Sequence, residues 1–127
     1  MTQTRTARLE PILLVAIGGF AGANLRYLVD TLVPASLLAT ATVNVFGSFA
    51  LGVVFYEDRF SGRISAPTRR IVATGFLSSF TTYSTFVVGA VTATPVIGLC
   101  YVAGSYALGF LGVLVGRALV RPEGGGR

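Results

Sequence analysis

Four long apolar runs restrict what this sequence can fold into. Each matches the ~20 residues of α-helix needed to cross a ~30 Å hydrocarbon core. Only 12% of the residues are charged, against about 25% in soluble domains. The pattern predicts an all-α integral membrane protein, with one membrane domain over residues 1–127. Its four transmembrane helices are expected over residues 11–29, 35–56, 71–93 and 95–115.

The segments between the runs are short. The longest, residues 57–70, is polar and too small to form a second domain. It is predicted to be a cytoplasmic loop. The glycine-rich end of the chain, residues 121–127, is predicted to be a disordered tail.

Positive charge is distributed unevenly about these runs. All ten basic residues are arginine, and nine lie before the first run, in the 57–70 segment or after the fourth run. With four spans, these regions share one side of the membrane, so the positive-inside rule predicts that both termini are cytoplasmic in a multi-pass protein of the cell (inner) membrane. We interpret the arginines as topology signals that contact lipid headgroups. No folded or aromatic module accompanies them that would bind nucleic acid.

Polar residues at membrane depth are costly, so each is a functional candidate. In the first span, Arg26 precedes Asp30 by one helical turn. The pair could be a structural contact near the headgroups, or Arg26 could place positive charge at the mouth of an anion path. In the second span, the Asn44 amide could bond another helix or donate to a passing anion.

The third span contains six serines and threonines among the eight residues from Ser78 to Thr85. Hydroxyls at this density compete for backbone hydrogen bonds, and they favour a broken helix whose freed carbonyls form an ion site. The alternative is an intact helix whose hydroxyls bond carbonyls one turn earlier. Tyr83 and Phe86 lie in the same segment, where they either pack or turn the positive edges of their rings to an anion.

The fourth span places Tyr101, Ser105 and Gly109 on one face. The two hydroxyls could form a row of donors, whereas the glycines here and at Gly18 and Gly22 predict close helix packing.

Several functional classes lack the residues that they require. No carboxylate lies deep in a span to carry protons in a coupled transporter, and no Ser–His–Asp, HExxH or P-loop motif indicates an enzyme. Without histidine and with one cysteine, the sequence does not favour a soft metal site. These observations favour passive movement of a small solute.

Three motifs resemble those of the small fluoride channels of the Fluc/CrcB family. They are residues 18–27 (GGFAGANLRY), 44–49 (NVFGSF) and 81–86 (TTYSTF). The resemblance covers all four spans and implies an antiparallel dual-pore dimer with a broken third helix and a structural sodium ion, Na+, at the dimer centre.

The resemblance also implies roles for individual residues. Backbone carbonyls of Ser78 and Thr81 would bind the sodium ion, and Arg26 would lie at the pore entrance. The fluoride pore would be lined by Asn44, Tyr83, Ser84, Thr85, Phe86, Tyr101 and Ser105. The implied function is passive export of cytoplasmic fluoride, which confers fluoride resistance. The alternatives are a small multidrug or cation exporter and a non-transporting membrane assembly subunit.

Two positions depart from the family pattern. Tyr83 stands where phenylalanine is usual, and Gly109 where a further hydroxyl is common. The uneven arginine distribution is a third difference, because an antiparallel homodimer requires one sequence to insert both ways. We therefore hypothesise a heterodimer with an oppositely oriented paralogue.

Overall fold

The structure is a computed structural model that describes residues 2–122, and these residues form helices with no strand. Helix α1 is Thr2–Leu32, α2 is Ser36–Phe60 and α6 is Pro95–Val120. Between α2 and α6, the third span is built from α3 (Ala66–Arg69), a π-helix (Arg70–Leu77), α4 (Ser78–Phe80) and α5 (Ser84–Thr92).

Four helical segments are long and apolar enough to cross a membrane, which makes this a multi-pass membrane protein. They extend beyond the apolar runs of the sequence. Helix α2 continues to Phe60, and the third span begins at Ala66, so residues 61–65 alone connect them. Of the tail predicted over 121–127, residues 123–127 lie outside the described residues.

The outer faces of the helices are apolar. Large exposed side chains include Phe20 on α1, Phe55 on α2 and Phe110 on α6. Few residues are fully enclosed, and the apolar ones among them lie on α2 and the third span: Ala39, Val43, Val54, Leu77, Phe80 and Phe86. Such a surface suits a hydrocarbon environment, since apolar side chains lose nothing by facing lipid.

Glycines bring the helices into backbone contact, as the sequence spacing predicted. A Cβ added to Gly18 would lie 2.9 Å from the Phe76 backbone nitrogen, so α1 rests directly on the π-helix. On the other side of the molecule, a Cβ on Gly112 would lie 3.2 Å from the Val45 carbonyl oxygen. Close approach at small residues is the usual means of helix association in lipid, where dispersion contacts dominate.

The third span changes its helical geometry along its length. The π-helix ends at Leu77, α4 contributes one turn, and Thr81 then adopts an extended conformation with φ −82° and ψ 159°. Residues 81–83 lie outside both α4 and α5. At membrane depth, backbone of this kind is tolerated where protein or a cavity covers its polar groups.

Candidate functional site

An open groove with a volume of about 490 Å³ lies between α2, the third span and α6. Apolar side chains from all three make up much of its wall, including Leu51, Leu77 and Val113. The polar residues along it are Asn44, Ser48, Ser78, Thr81, Thr82, Tyr83, Ser105 and Tyr106. No lining residue is charged, so any ion in the groove is bound through hydroxyls, amides and carbonyls.

Asn44 holds the non-helical segment against α2. Its Nδ2 donates to the Thr82 carbonyl oxygen at 2.9 Å, and its Oδ1 accepts from the Thr82 backbone nitrogen at 2.8 Å. The interhelical bond expected of a buried amide is thus present. One N–H of the amide remains beyond the bond to Thr82, because Nδ2 carries two.

These bonds redirect donors away from two carbonyls. In a continuous α-helix the Thr82 N–H would donate to Ser78, and the Thr85 N–H would donate to Thr81. Here the first donates to Asn44, and the second donates to the Thr82 hydroxyl at 3.3 Å. The carbonyls of Ser78 and Thr81 are therefore released from their helical donors.

The hydroxyls of the third span also bond the chain that precedes them. Thr81 Oγ1 donates to the Leu77 carbonyl at 2.9 Å, and Ser78 Oγ donates to the carbonyls of Thr74 and Gly75. These are the back-bonds expected of serine and threonine in helices. Their carbonyl acceptors all lie in the π-helix, on the N-terminal side of residues 81–83.

Aromatic rings cluster beside the groove. The buried Phe86 ring lies 6.0 Å from Tyr83, 5.2 Å from Tyr101 and, edge to face, 5.9 Å from Tyr106, measured between ring centroids. Phe86 is thus fixed by its neighbours, whereas Tyr83 is 73% exposed. The Tyr83 hydroxyl has no hydrogen-bond partner within residues 2–122.

Helix α6 contributes two enclosed hydroxyls. Ser105 Oγ is buried and has no hydrogen-bond partner within the described chain. One turn earlier, the Tyr101 hydroxyl faces buried Thr40 without reaching hydrogen-bond geometry. Both hydroxyls retain a proton that they can donate.

The groove collects only part of the predicted set of site residues. Asn44, Ser78, Thr81, Tyr83, Phe86 and Ser105 line it, whereas Arg26, Ser84, Thr85 and Tyr101 do not. Tyr101 lies next to the groove because its ring packs against Phe86. Thr85 lies next to it because its side chain bonds the Thr82 hydroxyl. Arg26 lies half buried on α1, and it does not pair with Asp30; the ion pair within residues 2–122 joins Arg69 and Asp58.

Four polar residues near the groove were not singled out from the sequence as site residues. Thr82 is the backbone partner of Asn44, Ser48 and Tyr106 line the groove, and Thr40 faces Tyr101. The spacing of Thr40, Asn44 and Ser48, one helical turn apart on α2, is a signal that could have identified them as one face.

The fold and the groove together define a class of protein. It is a small multi-pass membrane protein in which an uncharged, hydroxyl-lined groove lies beside the non-helical residues 81–83 of its third span. The chain belongs to the CrcB family: residues 13–117 match the family described as CrcB-like protein, Camphor Resistance (CrcB).

Similar proteins in archaea carry the name fluoride-specific ion channel. The chain is 55% identical to FluC 1 of Haloarcula marismortui, covering 93% of this chain and 91% of that protein. It is 45% identical to FluC 1 of Natronomonas pharaonis, covering 87% and 93%. It is 46% identical to FluC 2 of Halobacterium salinarum, covering 90% and 89%.

Proposed function

We propose that this protein is a fluoride-selective ion channel that lets cytoplasmic fluoride leave passively, down its electrochemical gradient, and so confers fluoride resistance. The observation that carries the proposal is the uncharged, hydroxyl-lined groove at Asn44 and Ser105, in a chain whose similar proteins are named fluoride-specific channels.

Fluoride is small and strongly hydrated, so a selective path must replace its water with many donors that are individually weak enough to release it. The groove offers hydroxyls and one amide but no cationic side chain that would trap the ion. It also lacks a carboxylate that could couple transport to protons. Passive conduction suits this chemistry better than coupled export.

The proposed path uses the predicted pore residues. The free N–H of Asn44 and the unpaired Ser105 hydroxyl are donors to the ion. Phe86 and Tyr83 turn their positive ring edges toward it. Ser84, Thr85 and Tyr101 continue the polar row beyond the groove, and Arg26 attracts the anion to the entrance.

The channel is proposed to be an antiparallel dimer with two pores. In one subunit the groove is open and Tyr83 is exposed, which supports closure by a second subunit. The third helix of each subunit is proposed to be broken at residues 81–83, which lie outside α4 and α5. The apolar outer faces of α1 and α6 then contact membrane lipid.

A sodium ion at the dimer centre would suit the backbone carbonyls of Ser78 and Thr81. The carbonyls of Ser78 and Thr81 have lost their helical donors, and carbonyl oxygens are ligands that hard cations prefer. Two such pairs, one from each subunit, would hold the ion. Its positive charge would offset the cost of bringing an anion to that depth.

The charge distribution supports an orientation with both termini in the cytoplasm, in the cell (inner) membrane. Because nine of ten arginines lie on that side, one sequence is poorly suited to insert both ways. A heterodimer with an oppositely oriented paralogue resolves this conflict. Relatives named FluC 1 and FluC 2 are consistent with paired genes in the family.

Fluoride efflux from proteoliposomes tests the function. The protein is reconstituted alone and, separately, together with a paralogue from the same genome whose basic residues favour the opposite orientation. Rapid efflux that is selective over chloride and independent of a proton gradient is expected. Slow, proton-coupled flux would indicate an exporter, and no flux from either preparation would indicate an assembly subunit.

The orientation of single subunits tests the heterodimer. A cysteine placed in the 61–65 loop is labelled from one side with a membrane-impermeant reagent, in Cys100→Ala protein expressed alone. Labelling only from the cytoplasm is expected. Equal labelling from both sides, in protein that conducts fluoride, would establish a homodimer instead.

A further inference from the structure

Ser48 lies on a stretch of α2 that packs closely against α6. On α6, a Cβ added to Gly112 would lie 3.2 Å from the Val45 carbonyl oxygen, so the backbones are nearly in contact. Gly109, one turn earlier, faces a side chain: its Cβ would lie 3.5 Å from Ser48 Oγ. The Ser48 hydroxyl thus reaches the level of the groove at which α6 presents no side chain.

Beyond this level the groove is lined by apolar side chains of α2 and α6. Ser48 and Gly109 both line it, beside Leu51, Phe110 and Val113. An anion that passes Ser105 loses that donor after one turn of α6. Without another donor, the ion would be desolvated among apolar groups, at a high cost in free energy.

The Ser48 hydroxyl can donate to an ion without leaving another group unpaired. Its Oγ donates to the Asn44 carbonyl at 2.7 Å. Inside an α-helix, that same carbonyl also accepts from the backbone N–H four residues later, which is that of Ser48. The hydroxyl is therefore a second donor to this oxygen, and rotation about χ1 releases it while the backbone bond remains.

We infer that Ser48 is a further ion-contacting residue, whose hydroxyl donates to the anion at the level of Gly109. The inference rests on the proposed function. Donors then alternate between helices along the groove, with Ser105 on α6 followed by Ser48 on α2. The glycine at 109 leaves room for the α2 hydroxyl to reach the ion.

Fluoride efflux of Ser48→Ala tests this assignment, in the assembly that conducts in the assay above. The variant removes one oxygen and is expected to slow efflux at least about tenfold, the usual effect of losing a hydrogen bond to a charged group. Thr42→Val is the matched control. Thr42 lies on the same helix and donates to the Leu38 carbonyl at 2.7 Å, but it does not line the groove.

A second substitution separates the lost donor from altered packing. Ser48→Ala combined with Gly109→Ser returns a hydroxyl to the same level from the opposite helix, and a Cβ at 109 fits at ordinary van der Waals distance. Efflux is expected to recover. Ser48→Ala with Gly109→Ala adds the carbon alone and is expected to stay slow.

Three results would overturn the inference: wild-type efflux from Ser48→Ala, equal slowing by Thr42→Val, or equal rates from the two double variants. Each variant is first checked for the elution volume and apparent Tm of the wild-type protein. Absence of fluoride efflux from the wild-type protein is a different result, since it refutes the proposed function itself.

Discussion

The side chain of Asn44 pairs with the backbone of Thr82 through two hydrogen bonds, at 2.9 Å and 2.8 Å. The Asn44 side chain thus bonds both the N–H and the C=O of Thr82, a residue that lies outside α4 and α5. The Thr82 hydroxyl in turn accepts from the Thr85 N–H at 3.3 Å, so the Asn44 amide on α2 is linked through Thr82 to the first turn of α5. Nδ2 retains a second N–H and Asn44 lines the groove, so the side chain that bonds Thr82 is also a proposed contact for the ion.

Asn44→Leu is expected to abolish fluoride efflux and to destabilise the fold. The substitution leaves the N–H and C=O of Thr82 unpaired at membrane depth, which costs about 2–4 kcal/mol. Efflux and the apparent Tm in detergent measure the two effects. Asn44→Gln is the control, since it retains the amide on a longer side chain. If Asn44→Leu keeps its Tm, Thr82 has another partner.

Tyr83→Phe is expected to conduct nearly as well as the wild-type protein. The Tyr83 hydroxyl has no partner within residues 2–122, and the ring stays 6.0 Å from Phe86. Removal of an unpaired, exposed group changes free energies by only about 0.5 kcal/mol, or roughly twofold in rate. Tyr83→Ile removes the ring edge and is expected to slow efflux strongly. A large loss in Tyr83→Phe would mean that the second subunit bonds the hydroxyl.

The sequence was sufficient to predict four spans, because an apolar run of about twenty residues is typical of a transmembrane helix. Glycine spacing in α1 likewise predicted close packing. The partner of that packing could not be predicted. The π-helix from Arg70 to Leu77 packs against α1, and no local propensity distinguishes it from an α-helix.

The sequence was sufficient to predict many of the residues of the candidate site, but not which of them would contact one another. An amide in an apolar span requires a partner, but the bond from Asn44 to a residue 38 positions later depends on tertiary packing. Ser48 was visible as part of a motif. Its place opposite Gly109 depends on the register between α2 and α6, which no single helix specifies.

Gly18→Ala and Gly22→Ala are expected to lower stability. Each added methyl group would meet the backbone of the third span, at the Ile71 and Phe76 carbonyls respectively. Backbone cannot move aside as a side chain can, so overpacking should cost about 1–3 kcal/mol per site. The apparent Tm in detergent measures the loss. Gly104→Ala is the control, because its added carbon meets nothing within 4 Å; a similar loss there would implicate general helix effects.

The buried carboxylate of Glu57 holds the loop after α2 in place. Removal of this carboxylate is expected to make the loop more accessible to protease. Glu57 accepts from the backbone nitrogens of Arg63 at 2.5 Å and Ile64 at 3.2 Å. Its own carbonyl accepts from Gly62, whose φ of 60° suits glycine at a helix end. Glu57→Ala leaves the first two donors unpaired, which should cost about 1–3 kcal/mol locally.

Trypsin cleavage after the exposed Arg63 measures that local opening, since cleavage requires the loop to leave its bonds. Glu57→Ala should be cut several times faster than the wild-type protein. Asp58→Asn is the control: it removes the neighbouring Arg69 ion pair, whose carboxylate side chain is 53% exposed, and exposed pairs contribute at most about 1 kcal/mol. Fluoride efflux should be unchanged in both variants, because neither residue lines the groove. Faster cleavage of Asp58→Asn than of Glu57→Ala would assign the loop's order to the arginine pair instead of the buried carboxylate.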